Sequence, residues 1–231
     1  MKIMYRAKVV NYINSFLISE RFHLKKEEDK TAEQLYYSKI KNDITIGIRF
    51  LSIIYETNHF YGFVNCNQIV LIENIVAKIL YKNKITAVKP KDIYNTIMTR
   101  NYKKYRLPAE GILIDSERKV IEICNLFDQF YYEYFTPFYE KWKDLTVLYE
   151  YIKNKTEDEL WDILGQFAPM KKAVILRLCN DSNYQDFMND YYEKQKEYYE
   201  EDPEDIDNIR YYHASKELKE ILDKTKPVYN V

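Results

Sequence analysis

The 231 residues suit one large domain or two small ones, and 46% hydrophobic against 31% charged residues, at a formal net charge of −1, excludes disorder along the whole chain. The four glycines, Gly47, Gly62, Gly111 and Gly165, never come within ten residues of one another. That excludes P-loop, kinase and dinucleotide-binding loops, in which clustered glycines let backbone amides approach phosphates.

At the N-terminus, Val9, Val10, Ile13, Phe16 and Leu17 form one apolar stripe, which predicts a helix ending near Phe22. The charges at Lys2, Arg6 and Lys8 precede no clean apolar stretch, so no signal peptide is expected. Lys25 to Lys30 is expected to be a charged loop. Leu35–Ile40, Ile44–Ile54 and Phe60–Val64 are rich in Ile, Tyr, Phe and Thr and predict three strands. Asn42-Asp43 and Asn58-His59 supply turns between them, giving an antiparallel meander. Helical period returns from Asn67 to Leu80. Pro90 could open a short helix towards Arg100, and Ile112–Ile114 is a candidate for one more short strand.

The rest is helical by period. Val120, Ile123, Cys124, Phe127, Phe130 (or Tyr131) and Tyr134 form one stripe, interrupted at Pro137, and Phe138, Trp142, Leu145, Tyr149 and Ile152 form the next. Thr156 and Glu159 have capping-box spacing, Gly165 can close that helix, and Pro169 can start another. Asn183 is a candidate cap for a helix whose stripe is nearly all aromatic: Tyr184, Phe187, Met188, Tyr191, Tyr192, Tyr198 and Tyr199. After Pro203, Ile206, Ile209, His213, Leu218, Ile221 and Leu222 make a looser stripe. The expected fold is α+β: a small antiparallel sheet of three to four strands flanked by helices, then a C-terminal helical bundle. The expected domains are 1–115 and 116–231, with a shared core left open.

Charge is divided along the chain. From Lys78 to Arg106 nine basic residues face one acid, Asp92, and from Asp190 to Asp207 nine acids face Lys194 and Lys196. Local fields of this kind steer partners or pair with each other. In the basic segment, Arg100, Tyr102, Lys103, Lys104, Tyr105 and Arg106 interleave cations with rings, the pattern a nucleic-acid surface uses to neutralise phosphates and stack bases. A solvated loop, or pairing with the acidic helix, is the plainer account of it, and a protein or lipid partner is a further alternative. In the acidic segment, Glu197, Glu200 and Glu201 flank Tyr198 and Tyr199, with Tyr192 one to two turns earlier. Acids among Tyr rings can mimic phosphates and bind a basic partner, such as a nuclease toxin; an exposed acidic helix face is the alternative. The 24 Tyr residues are first accounted for by a codon bias towards A and T shared with Lys, Asn and Ile, and they also suit a recognition surface.

No cofactor or metal site is expected. Cys66, Cys124 and Cys179 are far apart and form no C-x-x-C pair, which fits a reducing compartment and leaves Cys124 and Cys179 as buried apolar side chains. His23, His59 and His213 are isolated, and no nucleophile-elbow context surrounds Ser15, Ser19 or Ser52. No run approaches the roughly eighteen apolar residues of a membrane span, and the chain is read as cytoplasmic.

Phe16 and Phe22, then Lys25-Lys26, then Tyr36-Tyr37 and the Ile-rich strand from Ile44 resemble a class of uncharacterised bacterial proteins, the domain of unknown function numbered 4304. The resemblance covers about the first 65 residues, with Tyr134-Phe135-Thr136-Pro137-Phe138 similar in its helical look. A Gly before the Lys pair and a Trp before the aromatic-basic strand are absent, and no catalytic residue is transferred. Small bacterial α+β proteins of this kind often look like immunity proteins of toxin systems. The sequence therefore favours a non-enzymatic protein-binding module of immunity type. A nucleic-acid-associated protein using Lys78–Arg106 and an enzyme with an unrecognised site are the alternatives, and homo-oligomerisation is left open.

Overall fold

The computed structural model describes residues 2–28, 32–41, 44–54, 58–90, 95–97, 107 and 110–231. The fold is α+β, with a five-stranded antiparallel sheet and a helical C-terminal region. The chain divides into two compact units, each assembled from separate stretches: residues 1–67 with 100–141, and residues 68–99 with 142–231. The single boundary expected near residue 115 does not coincide with this division, because helix 70–82 belongs with the C-terminal helices and helix 117–129 with the sheet.

In the first unit, α1 (Lys2–Ser19) buries Val9, Ile13 and Leu17. It stops three residues before Phe22, because Arg21 takes a left-handed conformation (φ 64°) and the chain turns to bury the Phe22 ring. The sheet runs in sequence order: β1 (His23–Glu28), β2 (Ala32–Lys41), β3 (Ile44–Ile54), β4 (His59–Ile69) and β5 (Ile112–Leu113). The segment expected as a charged loop from Lys25 is thus largely β1, an edge strand paired with β2 from His23 opposite Ser38 to Glu28 opposite Glu33. Charge on an edge strand deters further pairing, so a polar composition there does not oppose strand formation. Tyr37 opposite Ile48, with Leu35 and Ile46 on the same face, forms the inner layer. On the other face the Tyr36 ring covers Gly47: a Cβ there would come within 2.5 Å of the Tyr36 hydroxyl oxygen. The Asn42-Asp43 turn lies outside the described residues, and Asn58 is left-handed at φ 51°.

β4 extends through Ile69, so the helix expected from Asn67 begins only at Val70; sheet pairing overrides local period here. α3 (Glu117–Gln129) buries Val120, Ile123 and Phe127. It runs without a break through a π-helical turn (Phe130–Phe135) into α4 (Thr136–Trp142). Pro137 therefore does not interrupt the helix. The Thr136 amide donates to the Tyr131 carbonyl five residues back, and this wider turn accommodates a residue that has no amide hydrogen and would clash in a regular helix. Phe63 stacks on Phe130 at 5.3 Å, and Phe16 meets Phe127 edge-on at 5.4 Å, forming the aromatic centre of this unit.

The second unit comprises α2 (Val70–Lys82), α5 (Leu145–Ile152), α6 (Glu157–Leu164), α7 (Ala168–Leu178), α8 (Tyr184–Glu201) and α9 (Ile206–Lys224). α7 is its central helix, buried on nearly every side, and touches α2, α5, α6, α8 and α9. The capping box at the start of α6 is complete: the Thr156 hydroxyl accepts from the Glu159 amide, and the Glu159 carboxylate accepts from the Thr156 amide. Gly165 closes that helix at φ 62°, and Pro169 sits in the first turn of α7. The expected Asn183 side-chain cap is absent; instead the Asp181 carboxylate accepts from the Asn183 amide at 2.6 Å. His213 is exposed, with Ala214, Leu218 and Leu222 carrying the buried stripe of α9. The short helix expected after Pro90 falls largely outside the described residues. Among the described residues, no helix is long and apolar enough to cross a membrane.

Candidate functional site

α8 and α9 form an antiparallel hairpin whose tip carries the acidic run. The turn is built by its own carboxylates. Asp202 accepts from the amides of Glu204 and Asp205, and Asp205 caps α9 by accepting from the amides of Asp207 (2.8 Å) and Asn208 (2.9 Å). The Asn208 side-chain amide donates to the Tyr198 carbonyl at 3.0 Å, tying the end of α8 to the start of α9.

All nine acids from Asp190 to Asp207 are exposed. Lys196 reaches Glu193 and Glu200 at 3.6 and 3.8 Å, and Arg210 reaches Asp207 at 3.3 Å, while Lys194 turns to Glu157. Glu197, Glu201 and Glu204 have no ion-pair partner among the described residues. Glu200 and Glu201 occupy the last turn of α8, which contains no basic residue. Carboxylates there oppose the helix dipole, so helix stability does not account for them.

The three tyrosines separate in role. Tyr199 stacks face to face on Tyr212 of α9 at 4.8 Å and 4°, and Tyr192 packs on the same ring at 5.9 Å with the two hydroxyls 3.4 Å apart. The hydrogen bond with Tyr212, and then burial, push the Tyr192 hydroxyl up to about 12. Both rings are half-buried and hold the hairpin together, whereas Tyr198 is 42% exposed beside Glu197 and Glu201. An outward surface of one ring and several unpaired carboxylates therefore replaces the expected three-ring cluster.

The other candidates are placed differently. Arg100, Tyr102, Lys103, Lys104, Tyr105 and Arg106 all lie outside the described residues. Of the basic run, Lys82 pairs with Glu217 of α9 at 2.8 Å, outside the acidic tip. His213 is exposed against the Tyr212 ring, and His59 lies on β4 near Tyr61. Among the described residues, no group of three His, Cys, Asp or Glu side chains is placed to hold a metal ion. Cys179 is buried and Cys124 half-buried, and burial raises both thiols, to about 12 and about 11. Both are thereby removed from thiolate chemistry near neutral pH. No family model, curated protein or solved structure matches this chain.

Two features of this unit escaped the sequence reading. One is a cavity of about 550 Å³ between α6, α7, α8 and α9, with Trp161, Phe187, Tyr191, Tyr198 and Tyr211 among its walls. The other is the pair of buried lysines on α7. Lys171 lies 3.7 Å from Glu73 of α2, and both are almost fully buried. Lys171 also donates to the carbonyls of Asn95 and Leu164, each at 2.8 Å, and Thr96 donates to Glu73 at 2.8 Å. Burial pushes Glu73 up and Lys171 down, and each charge opposes the shift of the other. The signal was present in Lys171-Lys172, two cations inside the otherwise apolar run from Ala168 to Leu176.

Proposed function

We propose that this chain is a non-enzymatic protein-binding module, and that the acidic tip of the α8–α9 hairpin docks on a basic protein surface. The narrower form of the proposal is an immunity-type protein that neutralises a bacterial toxin. One observation carries the reading: Glu197 and Glu201 flank the exposed Tyr198 along α8 and Glu204 stands in the turn that follows, all three exposed and without an ion-pair partner among the described residues, and the carboxylates of the last α8 turn oppose the helix dipole. Acidic surfaces with an aromatic anchor speed encounter with basic partners and fix register. The resemblance in the first 65 residues adds no site residue to this reading.

The test uses the purified chain as bait for proteins of its own cell, with calorimetry on whatever partner is captured. The triple variant E197K/E201K/E204K is expected to weaken that partner at least about tenfold at low salt, as reversal of steering and contact charges does. The wild-type affinity should fall as ionic strength rises. If the captured protein is a toxin, its activity should be blocked at one-to-one stoichiometry. A partner bound equally well by the triple variant and by Y198A would refute this surface.

A further inference from the structure

Lys172 is a buried cation on the wall of the α6–α9 cavity that the partner-docking reading does not use. It is only 7% exposed. Among the described residues its ammonium makes a single hydrogen bond, a long one of 3.4 Å to the Lys155 carbonyl, and it lies 5.1 Å from the centre of the Phe187 ring. Among the described residues no carboxylate comes within ion-pair distance of it. Burial pushes its pKa down, and the more distant Asp181 opposes that shift. An ammonium has three donors, and leaving buried donors unmade is costly unless a ligand or water takes them.

The other charges around the cavity are spoken for. Lys155 is bound by Glu159 at 2.7 Å, Lys194 by Glu157 at 3.3 Å, and Asp207 by Arg210 at 3.3 Å. Asp190 stands at the rim in water, where its charge is screened. The buried charge on the cavity wall that lacks an ion-pair partner among the described residues is therefore positive. Lys172 also borders a second cavity of about 410 Å³, but that one contains Asp181, which would repel an anion. Rings make up much of the rest of the larger cavity's wall, among them Trp161, Phe167, Tyr191 and Tyr211, alongside aliphatic Leu160 and Met170 and polar Gln195 and Asn208. Its volume lies in the range of small-molecule sites, which are mostly apolar with a few placed polar groups.

We propose that this cavity binds a small planar aromatic molecule carrying a carboxylate, with the ring held among Trp161, Tyr191 and Tyr211 and the carboxylate on the Lys172 ammonium. The site goes beyond the partner-docking reading and does not depend on it. The experiment is calorimetry of the full chain with two probes of matched shape, indole-3-acetate and indole-3-acetamide. The carboxylate is expected to bind at least about tenfold more tightly than the amide, the gain of a charge-assisted over a neutral hydrogen bond. K172M keeps the length of the side chain and removes the charge; it should abolish that preference while leaving amide binding in place. W161A, at a side chain 43% exposed, should weaken both probes. Absence of binding by either probe at millimolar concentration, equal binding of acid and amide by the wild-type chain, or a preference that survives K172M would overturn the proposal. The acid–amide comparison is made on the unaltered protein, so it stands even where a variant folds poorly.

Discussion

Replacing Lys171 by Met should destabilise the helical unit more than any surface change described above. The substitution preserves length and removes an ammonium that lies 3.7 Å from Glu73 and donates to the Asn95 and Leu164 carbonyls at 2.8 Å. Glu73 is only 1% exposed, and its Oε2 already has no hydrogen-bond partner. What remains is a buried carboxylate held by the Thr96 hydroxyl alone. Breaking a buried pair by removing one member costs about 3–5 kcal/mol. For a chain of this size that corresponds to a fall in Tm of roughly 6–20 °C. The double variant E73M/K171M removes both charges and should recover most of the loss, since apolar replacement of a whole buried pair is often near neutral. A residue of about 1 kcal/mol should persist, because Thr96 then donates to nothing. Urea unfolding followed by Trp fluorescence measures this directly, as both tryptophans, Trp142 and Trp161, belong to the helical unit. A K171M cost below about 1 kcal/mol, or a double variant as unstable as the sum of the singles, would refute the reasoning.

The α6 capping box gives a pH-dependent signature. Lys155 and the Thr156 amide and hydroxyl hold the Glu159 carboxyl down at about 2, below its ordinary 4.5. A carboxylate depressed in the folded state stabilises above its unfolded pKa, and the contribution is lost as pH falls from about 4.5 to about 2. E159Q should therefore flatten this part of the acid limb in a pH series of melts, whereas T156A should cost about 1 kcal/mol at neutral pH. In the sheet, G47A should cost about 1–3 kcal/mol, because the new methyl meets the Tyr36 ring at 2.7 Å; Y36A/G47A should recover part of that loss in the same denaturation assay. At the hairpin tip, E197K/E201K/E204K should change stability by no more than about 0.5 kcal/mol per site, so that a loss of partner affinity reports on the surface rather than on folding.

Local signals in the chain located most of the elements. The period of Val9, Ile13 and Leu17, the alternation through Ile44–Ile54, and the Thr156–Glu159 and Pro169 signals each rest on neighbours within a turn or a strand pair, and these elements form where expected. The elements that differed depend on distant residues. His23–Glu28 becomes a strand because β2 offers it a partner, not because its own residues favour extension. The helix passes Pro137 because a π turn precedes it. The acidic tip was legible because exposure follows from polarity, but which tyrosine faces outward was not: Tyr198 and Tyr199 are adjacent in sequence, and only the position of Tyr212 on α9 decides that Tyr199 is covered.

By itself the sequence determined the α+β class, the helical C-terminal region and the exposed acidic run, because periodicity, capping and hydration act over a few residues. The tertiary structure alone decided which helices join which unit, that Lys171 meets Glu73 across 98 positions of sequence, and that Lys172 stands on the wall of an aromatic cavity. Burial and charge pairing depend on what the rest of the chain places within a few ångströms, and no local pattern encodes that.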